Sequence, residues 1–235
     1  SIPVLDEHEK LIGVITSQDI VEAVDDEMGD DYAKLGGLSE EEEMDEPLIK
    51  SISKRLPWLI ILLFLGLVVS SVVSIFEGVV SQLTLIVCFQ SLILGMAGNV
   101  GTQSLAVTVR LISDEKLDLK EKLLLVFKEV RIALTNGLLL GILSFIAIGI
   151  YIALSKHTGW DYAFAVSGCV GAALVLSMLI SGFVGTSIPL LFDKIGVDPA
   201  VASGPLITTV NDLVAVVTYY GLAYLFLIQF LGLSY

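Results

Sequence analysis

Apolar residues along these 235 positions gather into five long runs, at 58–76, 83–109, 132–154, 163–192 and 200–231. Each is long enough to cross a bilayer as a helix, which takes about 20 residues. The last four are long or interrupted by Gly and Pro, which predicts tilted or kinked helices rather than simple anchors. The first fifty positions follow another pattern. Short apolar stretches at 2–4 and 11–15 flank Asp6-Glu7-His8-Glu9-Lys10 and predict a β-hairpin, with His8 a solvated turn residue. A helix begins over 19–24. Positions 47–55 predict an amphipathic helix, with Leu48, Ile49, Ile52 and Leu56 covering one face, that leads straight into the first span.

Composition supports a membrane class: 55% of residues are hydrophobic and the mean hydropathy is +0.86. The net charge of −13 adds an asymmetry. Residues 1–50 hold 16 acids and 3 bases, whereas residues 51–235 hold 10 of each. An acidic head is therefore joined to an electrically balanced body. Its acid-rich stretches, EAVDDEMGDD at 22–31 and EEEEMDE at 40–46, are either a solvated linker or a regulatory cation site. In the second case a hard divalent ion would relieve the repulsion among the carboxylates. Cys88 and Cys169 lie inside apolar runs and make neither a disulfide framework nor a zinc site. The chain starts at Ser1 with no cleavable signal pattern, so a natural N-terminus further upstream is expected.

Lys50, Lys54 and Arg55 precede the first run; Arg110, Lys116, Lys120, Lys122, Lys128 and Arg131 fill the second connection. Lys194 lies in the fourth, the third has only Lys156, and the first has no base. This bias puts the N-terminus and the even-numbered connections in the cytoplasm and the C-terminus outside. Trp58, Tyr151, Trp160 and Tyr162 fall at the expected interfaces.

The candidate chemistry lies in the second and fifth runs. Asp212 is the one charged residue of the stretch 201–220. A carboxylate near the bilayer centre costs several kcal/mol unless it faces water, a cation or a partner. Asp212 is thus either a pore or binding-site residue, or a buried acid bonded to Asn or Thr. Thr208, four residues earlier, shares its face and could offer a carbonyl or hydroxyl to the same ion; Thr209 is nearly as well placed, and Asn211 adds another oxygen. Gly204-Pro205 is expected to loosen the helix. In the second run, GMAGNVGTQS at 95–104 carries Asn99, Thr102, Gln103 and Ser104 among Gly95, Gly98 and Gly101. It is either close helix packing with polar glue, or an unwound segment whose carbonyls and amides line water. Counted from the cytoplasmic edge, Asn99 and Asp212 differ in depth by only about 5 Å, which favours one shared pathway. Glu77 reads as an interfacial acid.

PVLDEHEKLIGVITSQDIVEAV at 3–24 resembles the closing strand-strand-helix of a CBS domain. Together with the linking helix, five spans, the Gly-Asn-Val-Gly-Thr-Gln run at 98–103, Asp198-Pro199-Ala200 and Thr-Thr-Val-Asn-Asp at 208–212, it resembles the MgtE magnesium transporter/channel family across essentially the whole sequence. The resemblance implies an all-α integral membrane protein, five transmembrane helices per subunit, with a short α/β remnant of a CBS domain at its N-terminus. The segments are then 1–46, CBS end and acidic linker; 47–56, linking or plug helix; and 57–235, pore domain. It implies a homodimer with a magnesium-selective pore on the dimer axis, lined by the second and fifth spans and closed by cytosolic Mg2+. Asp212 with Thr208 would meet the ion, directly or through water, and Asn99, Gly98, Thr102, Gln103, Gly204, Thr209 and Asn211 would line the path. Asp19, Glu22, Glu27, Asp30 and Asp31 would bind regulatory Mg2+. The expected surroundings are the cell membrane and its lipid, with no nucleic acid. A proton-coupled divalent cation transporter and a non-conducting membrane sensor are the alternatives. No enzyme is expected, since the spans hold no His (His157 falls in a connection) and no Ser/His or paired-Asp constellation.

Overall fold

A computed structural model describes residues 1–114, 117–155 and 159–232. Lys116, Lys156 and His157 lie outside the described residues. The hairpin forms as expected from β1 (Ile2–Leu5) and β2 (Leu11–Ile15), antiparallel with Ile2 opposite Ile15 and an irregularity at Leu5. Helix α1 (Ser17–Leu35) opens with a capping box: the Asp19 carboxylate accepts from the Thr16 amide at 2.6 Å, and the Thr16 hydroxyl accepts from the Asp19 amide. The acidic stretch 22–31 is thus helical, not an open linker. A cap contributes about 1 kcal/mol. The like-charged pairs Glu22/Asp26 and Glu27/Asp31, four apart, cost only a few tenths each.

The linking helix and the first span are one element, α2 (Leu48–Ile75), continuous through Pro57. The expected amphipathic helix at 47–55 forms its first two turns and runs on into the span. Residues 39–46 wrap onto those turns. Lys54, buried, reaches the Glu46 carboxylate at 2.6 Å and the Glu41 carbonyl, and the Ser39 amide donates to the Lys54 carbonyl at 3.0 Å. Two short helices, α3 (Glu77–Gln82) and α4 (Thr84–Val87), lead into α5 (Gln90–Asp114).

Helix α6 (Leu119–Ser155) starts well before the expected position 132, because its first turns contain no Gly or Pro to stop them. Lys120, Lys122, Lys128 and Arg131 are therefore helical rather than in a loop. Helix α7 (Trp160–Lys194) returns against α6, with Gly137 and Gly141 pressed on Val175 and Gly171. Small residues let the two backbones approach, as membrane helices require. Helix α8 (Gly204–Leu222) closes the bundle and continues as a π-helical stretch, Ala223–Phe230. Tyr219 and Tyr220, both buried, tie it to α4 and to the start of α5: their hydroxyls donate to the Ile86 carbonyl (2.7 Å) and to Gln90 Oε1 (2.5 Å). Among the described residues, five helices are long and apolar enough to cross a membrane.

Candidate functional site

The site is built on the start of α8. Asp198 first caps a 3-10 turn, Pro199–Val201, its Oδ1 accepting from the Ala200 amide at 2.9 Å. Its other oxygen takes the ammonium of Lys34, from the end of α1, at 2.7 Å. That hydrogen bond holds Lys34 above its ordinary pKa. Asp31 is also shifted up, by burial first and then by the negative charge of Asp198. Ser203 caps α8, and Gly204 and Pro205 form its first turn. The expected loosening at Gly204-Pro205 is a helix start instead, where a missing Pro N–H costs nothing.

From there one face of α8 enters the protein. Ile207, Asn211 and Ala215 are fully buried, and Thr208 rests its methyl on Gly98 of α5. Asn211 packs on Gly101, with neither of its amide atoms paired. The Thr208–Gly98 and Asn211–Gly101 contacts put the two polar stretches at one depth. The 95–104 stretch is regular helix, not unwound. Its glycines are used for contact, and Gly185 of α7 closes on the Gly101 carbonyl from the other side.

Asp212 is half-buried and has no hydrogen bond or ion pair among the described residues. Thr209 is committed locally, its hydroxyl donating to the Pro205 carbonyl at 2.9 Å, and Thr102 likewise donates to the Gly98 carbonyl at 2.9 Å. Asn99, Thr102 and Gln103 line a cleft of about 510 Å³ with Asn136 of α6 and Met178 of α7. The candidate residues thus fall into two groups. Gly98, Gly204, Thr208 and Asn211 lie where α5 meets α8, Gly204 touching the Thr102 methyl, while the amides of Asn99 and Gln103 open onto the cleft.

The head residues are spread out. Asp19 is held in its capping box, which lowers its pKa through the Thr16 amide and hydroxyl. Asp30 accepts from the Glu41 amide at 3.2 Å. Among the described residues no three acids, His or Cys gather as a metal cluster, so Glu22 and Glu27 are not joined to the others in one site.

Four polar features escape a reading by hydropathy. Asn136 sits mid-helix, where one amide in an apolar run gives little signal. Glu129 is buried in α6 and accepts from the Ser104 hydroxyl at 3.0 Å; its place among bases made it look like part of a connection. The others are the Lys54–Glu46 pair and the bond from Trp58 to Ser203 at 2.7 Å, which join positions far apart in sequence or buried by the fold.

Comparison with known proteins bears on this geometry. The sequence profile of MgtE, described as a divalent cation transporter, matches residues 90–222, the segment from α5 to the end of α8. A magnesium transporter MgtE of Enterococcus faecalis is 41% identical over 232 residues, covering 98% of this chain and 49% of that protein. One of Bacillus subtilis is 37% identical, covering 97% and 48%. One of Thermus thermophilus is 32% identical, covering 96% and 48%. The chain spans about half the length of these relatives.

Proposed function

The chain belongs to the MgtE family of divalent cation transporters, and from that premise we propose that it forms the membrane pathway of a Mg2+ channel in the cell membrane. The observation that carries this reading is Asp212: a half-buried carboxylate in a membrane helix with no protein partner among the described residues. Such a group needs a cation or water from outside the chain. Mg2+ dehydrates reluctantly and is bound by one or two carboxylates while keeping several waters. One Asp212 per subunit, doubled by the two-fold axis of a homodimer, supplies that, with Thr208 beside it. Asn99 and Gln103 offer amide oxygens to the ion's water shell. Helices α5 and α8 line the axis in this scheme, the N-terminus is cytoplasmic and the C-terminus outside. In this scheme regulatory Mg2+ acts on the acidic head at several weak sites, through Glu22, Glu27, Asp30 and Asp31 with Asp19, which gather in no single cluster among the described residues, and together these draw the first turns of α2 across the mouth.

The test is Mg2+ uptake into liposomes with Ca2+ and Na+ as competitors, comparing the chain with Asp212→Asn. The variant keeps the shape and removes the charge, so it is expected to assemble but lose most divalent flux or selectivity. Unchanged uptake by the variant refutes the assignment. Proton movement coupled to each Mg2+ would instead favour a secondary transporter.

A further inference from the structure

The N-terminus of α8 is held by two other parts of the chain, the end of α1 and the first turns of α2. The indole Nε1–H of Trp58, in α2, donates to Ser203 Oγ at 2.7 Å. That same oxygen accepts from the Leu206 amide at 3.4 Å, so one atom both caps α8 and receives α2. Ser203 is only 1% exposed, so water does not compete for it. Gly37, in the left-handed region at φ 84°, turns the chain after α1 so tightly that a Cβ there would strike the Trp58 ring and approach Pro205. The Leu35 carbonyl lies over Gly204, and Lys34 holds Asp198 just upstream. The end of α1, the first turns of α2 and the first turn of α8 thus meet at one indole.

Nine residues, about 13 Å of helix, separate Ser203 from Asp212. An α-helix is stiff over that length, so a shift or rotation at the cap reappears at the carboxylate. A cavity of about 280 Å³, lined by Lys34, Leu38, Lys54, Trp58 and Val201, borders the indole and gives it somewhere to go.

We propose that Trp58 and Ser203 are positioning residues for the transport site: their hydrogen bond fixes the first turn of α8 against the head and α2, and so sets where Asp212 stands. This rests on Asp212 as the ion site. It is separate from any blocking of the mouth by α2, because it acts through the cap of α8.

The experiment is a double-mutant cycle in the intact protein. Trp58→Phe keeps the six-membered ring and deletes the N–H together with the pyrrole half of the indole; Ser203→Ala deletes the acceptor; Ser203→Thr keeps a hydroxyl. Two quantities are read in lipid: the Mg2+ concentration giving half-maximal uptake, and the unfolding temperature. Each single deletion is expected to raise half-saturating Mg2+ about three- to tenfold, the range for one lost buried hydrogen bond. Maximal uptake per folded protein stays near wild type, the double variant is no worse than either single one, and Ser203→Thr restores the wild-type value. Loss of folded protein with half-saturation unchanged overturns the proposal, since Ser203 would then only cap. Additive single effects overturn it too, since the two side chains would then act separately. If the wild-type chain moves no Mg2+, the transport reading falls and the unfolding temperatures decide the link: non-additive losses sustain it and additive losses refute it.

Discussion

A methyl group added at four glycines provides a graded test of how α5, α7 and α8 fit together. Replacing Gly by Ala inside a helix gains about 1 kcal/mol where nothing else changes. At Gly95 no atom lies within 4 Å of the added Cβ, so Gly95→Ala should show that gain alone. At Gly98 the Cβ comes 3.1 Å from Thr208 Cγ2, the end of a side chain that can give by a few tenths of an ångström, so the gain and the crowding nearly cancel. At Gly101 it lies 2.9 Å from Ile207 Cγ2 and 3.1 Å from Asn211 Cγ, and overlaps Asn211 Nδ2. Overpacking of that kind costs about 1–3 kcal/mol, giving a net loss of up to about 2 kcal/mol. At Gly185 the obstacle is the Gly101 backbone itself, its carbonyl overlapped and its C and Cα at 3.0 Å, which cannot rotate away. Gly185→Ala is therefore expected to be the most damaging. Thermal unfolding in detergent reads the series, 1 kcal/mol corresponding to about 2–4 °C at this chain length. The expected order of stability is Gly95→Ala, Gly98→Ala, Gly101→Ala, Gly185→Ala. If Gly101→Ala and Gly185→Ala unfold as high as Gly95→Ala, the three-helix contact is wrong.

Three further outcomes are expected. Asn99→Leu dries the 510 Å³ cleft and lowers Mg2+ flux while assembly, followed by size-exclusion chromatography, is retained; normal flux would make the cleft irrelevant to transport. Ser104→Ala leaves the buried Glu129 without its hydroxyl donor and costs about 1–3 kcal/mol of stability, whereas an exposed Glu would show almost none. The hydrogen bonds from Lys54 and then Lys50 lower the Glu46 pKa, so its contribution is present above the usual carboxylate pKa of about 4.3 and is lost as pH falls through the lowered value. Residues 39–46 should stay docked on α2 at pH 7 and at pH 5, and detach in stronger acid. Hydrogen exchange at the Ser39 amide, which donates to the Lys54 carbonyl, reads this, and Glu46→Gln should speed that exchange at pH 7.

What could be read from the chain followed from periodicity and from the cost of charge in lipid. Five apolar runs gave five spanning helices, and the solitary Asp212 stood out because a carboxylate in such a run is expensive. Boundaries were harder, because hydropathy reports solvation and helices end on backbone signals. Helix α6 runs thirteen residues before its apolar stretch, since nothing in LKEKLLLVFKEVR breaks a helix. Pro57 and Pro189 were tolerated inside helices, while Gly204-Pro205 began one. The 95–104 motif left packing and unwinding open, and its regular helix against Gly185 and Asn211 favours packing within the chain. Lys34–Asp198 and Trp58–Ser203 join residues 164 and 145 positions apart, a pairing that no local pattern encodes.

Helix α2 differs from its four spanning neighbours in one respect: none of its spanning window is buried within the chain. Its N-terminal end is pinned by Lys54 and Trp58, and its C-terminal end leads into α3. Beyond Trp58, about 26 Å of helix runs to Ile75, with Val69, Val72 and Val73 resting partly buried on the core and the rest of its surface facing outward. Bilayer thickness therefore acts on this chain first through α2. A change in thickness is expected to tilt α2 most at its N-terminal end, beside the Trp58 indole.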